Sequence, residues 1–170
     1  METGKVLSLL SGIITIVATY FFSWYAIDTV PPYYANGLGI INNLGAMFTD
    51  AENLGSVLNI PGFSLYIIAV GFILFLVAGL FLILGMKKRG FAAFGTLLVL
   101  GMATLIYLGS YRVISVNDWI TNILGTDSPL VEDIIPLKIL DFGGFDIGMY
   151  LLYVGGILGL VATVYGPGAF

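Results

Sequence analysis

Apolar positions run uninterrupted by charge through four stretches of this chain, at about residues 6–27, 65–86, 91–111 and 147–165. Each is roughly 20 residues, the length of helix that crosses a hydrocarbon core of ~30 Å. The pattern predicts an all-α polytopic membrane protein: a four-transmembrane-helix bundle, with residues 1–170 as a single membrane domain. The first stretch follows a lone Lys5 and is too long for a signal-peptide core, so it reads as a retained span.

The two long connections carry their own patterns and predict short extracellular helices. Pro31-Pro32 halts the first span, because proline lacks the amide a helix interior needs. Leu38-Gly39-Ile40-Ile41 and Leu44 alternate with Asn42 and Asn43, as in an interfacial segment. Thr49-Asp50-Ala51-Glu52 fits a capping box ahead of a helix from Asp50 to about Leu58, which Pro61-Gly62 ends. In the second connection, Ser115–Asp118 predicts a helix through Trp119, Ile120, Ile123 and Leu124. Ser128-Pro129 predicts another as far as Ile135. Leu130, Val131, Ile134 and Ile135 need cover from the membrane surface, the first connection or a partner. With Leu54 and Trp119 they form the expected outer contact surface.

Charge orients the arrangement. Lys87-Lys88-Arg89 forms a short basic turn, which the positive-inside rule places in the cytoplasm. Both termini then lie on the cytoplasmic side of the cell membrane. The connections outside hold Asp28, Asp50, Glu52, Asp118, Asp127, Glu132, Asp133, Asp141 and Asp146 against only Arg112 and Lys138. This reads as a solvated acidic rim. Trp24 and Trp119, with Tyr25, Tyr33, Tyr34, Tyr66, Tyr107 and Tyr111, read as an aromatic belt at the outer interface.

Two further patterns concern packing. In the last span Gly148, Gly155 and Ala162 recur every seven residues, and Gly144/Gly148 and Gly155/Gly159 are GxxxG pairs. Small residues on one face let helix backbones approach closely in lipid, here within the chain or at a homodimer seam. Ser8/Gly12 and Ala92/Thr96 are weaker versions, while Phe72, Phe75, Leu76 and Phe81 read as facing lipid or a subunit. Residues 58–65 also align without a gap with residues 140–147, which predicts a parallel 2+2 internal repeat of residues 1–86 and 87–170.

Composition narrows the chemistry. The chain is 59% hydrophobic and only 9% charged, where soluble domains carry about a quarter charged residues. It has no Cys and no His, which removes disulfides, thiol chemistry and His or Cys metal sites. The spans offer only hydroxyls: Ser11, Thr15, Thr19, Ser23, Thr96, Thr104 and Thr163, expected to bond their own helices. No phosphate loop, dinucleotide fingerprint or calcium loop is present. No catalytic residue, cofactor, metal or nucleic acid is therefore expected.

The layout, with both termini inside, a long first outer loop, a short basic inner turn and a second outer loop, resembles that of claudin-like tetraspan proteins. The chain has neither an outer-loop Cys pair nor a Trp-Gly-Leu-Trp-type signature, so no family is assigned. The expectation is a non-enzymatic structural or assembly subunit in the lipid bilayer, within a homo-oligomer or with other membrane subunits. The alternative is a small oligomeric channel or transporter with an acidic outer vestibule.

Overall fold

The computed structural model describes residues 3–27, 33–111, 122–124, 128, 130–131, 141–142 and 145–166. Helix α1 (Thr3–Tyr20) leads into a hairpin of β1 (Tyr25–Ile27) and β2 (Tyr33–Ala35). Then come α2 (Gly37–Thr49), α3 (Ala51–Val57), α4 (Gly62–Leu76), α5 (Ala78–Leu84) and α6 (Arg89–Tyr111). A second hairpin, β3 (Asp141–Phe142) with β4 (Phe145–Asp146), feeds α7 (Ile147–Tyr165). The described chain is largely helical, and α1, α6 over Arg89–Gly109 and α7 are each long and apolar enough to cross a membrane. Counting the bent pair α3 and α4, which meet at 97°, brings the number to four.

Helix packing follows a ring. α1 lies along α7, α7 along α6, α6 along α5, and α5 returns to α1. α4 stands apart from this ring and packs chiefly on α2 and α3. The apolar stretch at 65–86 is therefore not one regular helix. It breaks at Val77, whose backbone leaves the helical region (φ −93°, ψ 1°). The Leu80 amide bonds the Val77 carbonyl instead of reaching back four residues, which deprives the Leu76 carbonyl of its usual donor. The Tyr20 hydroxyl fills that place at 2.7 Å. A side chain entering the helical ladder in this way is a recognised cause of a break, and a buried carbonyl without a donor would be costly. Tyr20→Phe is expected to cost about 0.6–1 kcal/mol, read as a lowered midpoint of thermal unfolding in detergent.

The connection that follows α1 enters the space between α1 and α4. Gly37 at the start of α2 sits against Thr19 and Leu76. Asn36 is fully buried there, and its side-chain oxygen caps α2 by accepting from the Gly39 amide at 2.9 Å. α2 runs almost directly into α3, where the expected capping box does not form. Thr49 Oγ1 donates back to the Gly45 carbonyl (3.1 Å), and Asp50 takes the N-cap position without capping a backbone amide, its carboxylate accepting from Asn53 Nδ2 instead. At the end of α3, Asn59 adopts a left-handed conformation (φ 59°), and the Ile60 amide bonds the Gly55 carbonyl at 2.8 Å. This is the Schellman closure, which turns the chain sharply into α4.

Several sequence expectations are corrected here. The first helix stops at Tyr20, and the apolar residues after it form a turn and strand β1. Trp24 is not in an interfacial belt: it is fully buried, donates to the Ala18 carbonyl (3.2 Å) and meets Phe75 edge-on at 5.5 Å. Tyr25 is buried as well. Phe72, Phe75 and Leu76 lie in the core rather than facing lipid. The segments aligned as an internal repeat differ locally: Gly62–Leu65 opens α4, whereas Phe145–Asp146 is a strand.

Candidate functional site

α1 carries a hydroxyl stripe, Ser8, Ser11, Thr15 and Thr19, all buried and spaced for one helix face. Ser8 donates to the Leu82 carbonyl of α5. Ser11 donates to the Gly155 carbonyl of α7 at 2.7 Å. Both serines reach across to other helices, whereas Ser11 was expected to bond its own backbone. Thr163 does bond its own helix, at the Gly159 carbonyl (2.8 Å).

The glycines of α7 receive this stripe. A methyl group on Gly155 would fall 2.5 Å from Thr15 Oγ1. One on Gly159 would press on Thr96 Oγ1 and lie 3.0 Å from Ser11 Oγ. One on Gly148 would meet the carbonyls of Ser23 and Phe22. Ala162 is buried on the same helix. The seam runs within the chain, between α7 and its neighbours α1 and α6. A second close crossing joins α1 to α5, where Gly12 faces the Gly79 carbonyl. The Thr15, Thr19 and Thr96 hydroxyls are buried without a partner among the described residues.

At the end of the seam away from the basic turn lies a carboxylate. Asp146 precedes α7, is 1% exposed, and accepts from Ser23 Oγ. Its amide bonds the Trp24 carbonyl (3.1 Å), and the Gly148 amide bonds the Ser23 carbonyl (3.0 Å). Sequence reasoning placed Asp146 in a solvated rim. Its burial corrects that, because the two segments form a backbone ladder that encloses it. Ser23 and Asp146 each stand near the outer end of an apolar stretch, which was the available signal. No group of three or more acidic residues suited to a metal occurs among the described residues.

The outer surface residues are also rearranged. Leu130 and Val131 are buried in the chain's own core, so they are not open to a partner. The Asn36 amide bonds the Val131 carbonyl at 3.4 Å. The Tyr25 hydroxyl reaches the Leu124 carbonyl (3.1 Å), and Asn122 Nδ2 reaches the Leu58 carbonyl (3.0 Å). Leu54 is half-buried against the same core. Trp119, Ile134, Ile135 and Gly144 lie outside the described residues, as does most of the second outer segment.

At the other end, Lys87 and Lys88 are exposed, and Arg89 opens α6. Arg89 Nη2 donates to the Val164 carbonyl, placing a cation at the C-terminus of α7 where the helix dipole favours it. The site as a whole is built for cohesion: hydroxyls and one carboxylate join helices, and glycines bring the backbones close.

Comparison with known proteins adds no assignment. The sequence matches no protein-family model, and no curated protein or solved structure matches it.

Proposed function

We propose that this chain is a multi-pass integral membrane protein without catalytic activity that works by association, with copies of itself or within a larger membrane complex. Its spans are α1, α6, α7 and, as the fourth, the broken stretch α4–α5 rather than the sharply bent pair α3–α4, because α5 closes the ring of helices; the bundle lies in the cell membrane with both termini cytoplasmic. The 2+2 duplication is left out of this reading, because the aligned segments differ in local structure.

The observation that carries the proposal is the outer face of α4. Phe63, Tyr66, Ile67, Val70 and Ile73 are exposed along one side of it, with Ile67 68% exposed. They recur at helical spacing, and Phe48 of α2 extends the patch by packing on Tyr66 at 6.0 Å. The opposite face of α4 holds the buried Leu65, Ala69 and Phe72. A groove of about 380 Å³ lies beside the ridge, lined by Asn59, Ile60, Pro61, Ser64, Ile67 and Ile68. Because α4 leans on α2 and α3 rather than on the ring, this ridge projects from the body of the protein. Leu97 of α6 and Ile157 and Leu160 of α7 are exposed too, as lipid-facing side chains are; the α4 ridge differs in standing off the ring and continuing onto Phe48 of α2, which supports a contact with another chain.

The test is a photo-reactive amino acid at position 67, irradiated in native membranes. A discrete cross-linked species of higher mass is expected, and a chain that stays a lone monomer contradicts the proposal. The channel reading has less support, because the buried hydroxyls that would line a neutral path are pressed against glycine backbones.

A further inference from the structure

At the basic end of the protein a second groove opens between α5 and α6. It is lined by Phe81, Lys88, Gly90, Phe91 and Phe94 and encloses about 380 Å³. Ligand sites commonly measure ~300–1,000 Å³. Phe81 is the keystone of the wall: it stacks on Phe91 at 6.2 Å and meets Phe94 edge-on at 5.1 Å. Phe91 and Phe94 remain more than a third exposed. The wall is otherwise apolar, and its single charged member is Lys88, which is exposed at the mouth.

Among the described residues, the charges of this turn are all positive. Lys87 and Arg89 flank Lys88, and Arg89 is engaged with α7. Every acidic residue except Glu2 falls in the two long outer connections or at their ends. A ligand here meets hydrocarbon along its length and a cation at one end.

We infer that this groove binds an anionic phospholipid, with an acyl chain laid along Phe81, Phe91 and Phe94 and the headgroup phosphate at Lys88. The inference rests on the membrane reading above. A basic group beside a membrane surface attracts anionic lipid by about 1 kcal/mol per lysine, which is a preference of about fivefold. The phenyl wall fixes where that lipid sits, and this separates a site from general attraction to the basic turn.

The experiment is native mass spectrometry of the full chain in mild detergent with equal phosphatidylglycerol and phosphatidylcholine of the same chain length. Retention of phosphatidylglycerol is expected to exceed that of phosphatidylcholine about fivefold. Lys88→Gln brings the ratio near one, whereas Lys87→Gln, outside the groove, leaves it in place. Gly90→Phe, at a position with open space around it, fills the groove and lowers retention of both lipids. Equal retention by the unaltered protein, or equal loss from both lysine variants, overturns the site. Carbonate extraction of native membranes is run alongside. A chain released by carbonate overturns the membrane reading and the site together, and an integral chain without lipid preference overturns the site alone.

Discussion

Gly148→Ala is expected to destabilise the protein by about 3 kcal/mol or more, the upper range for overpacking a well-filled interior. The added methyl would press on the Ser23 carbonyl and lie 2.9 Å from the Phe22 carbonyl oxygen and the Ser23 carbonyl carbon. All of these are backbone atoms, so no rotamer change makes room. The Gly148 amide also holds the Ser23 carbonyl at 3.0 Å, so moving the helices apart breaks the ladder that encloses Asp146. Gly101→Ala in α6 is the control, since nothing lies within 4 Å of the added methyl. It gains up to about 1 kcal/mol from helix propensity alone. Thermal unfolding of both variants in one detergent reads the difference.

Trp24→Ala should cost about 3–5 kcal/mol, the range for removing a large buried aromatic. Its indole is fully enclosed, packs on Phe75 and donates to the Ala18 carbonyl, so alanine leaves both a cavity and an acceptor without its donor. An interfacial tryptophan would lose far less. Trp24 and Trp119 are the only tryptophans, so Trp119→Phe isolates the Trp24 signal. Its fluorescence should be blue-shifted and poorly quenched by iodide, whereas a ring in the headgroup region would be readily quenched.

Particular residues show what the sequence could and could not carry. Uncharged length is a strong signal, and three apolar stretches became α1, α6 and α7. The seven-residue spacing of Gly148, Gly155 and Ala162 marked a small-residue face because such spacing keeps residues on one side of a helix. Hydropathy could not locate the end of α1. Phe21, Phe22, Trp24, Tyr25 and Ile27 are as apolar as a span, and short apolar runs do not separate strand from helix.

The break at Val77 lacks the proline that usually announces one. The carbonyl it frees is met by Tyr20, 56 residues away, and such pairings leave no local trace. The same holds for Trp24 and Phe75. An aromatic residue near the end of a span suits an interface equally well until the first outer segment is seen to fold over it. Burial of Asp146 likewise depends on the ladder to Ser23 and Trp24, which is a tertiary feature.

The central claim is that the glycine seam of α7 is closed by α1 of the same chain, leaving the periphery for association. The natural absence of cysteine makes a direct measurement simple. In a Thr15→Cys, Gly155→Cys double variant, oxidised in native membranes with a membrane-permeant oxidant, the account predicts an intrachain disulfide. The monomer then migrates faster on a non-reducing gel, and either single variant shows no shift. A disulfide-linked dimer, or no bond at all, would contradict it.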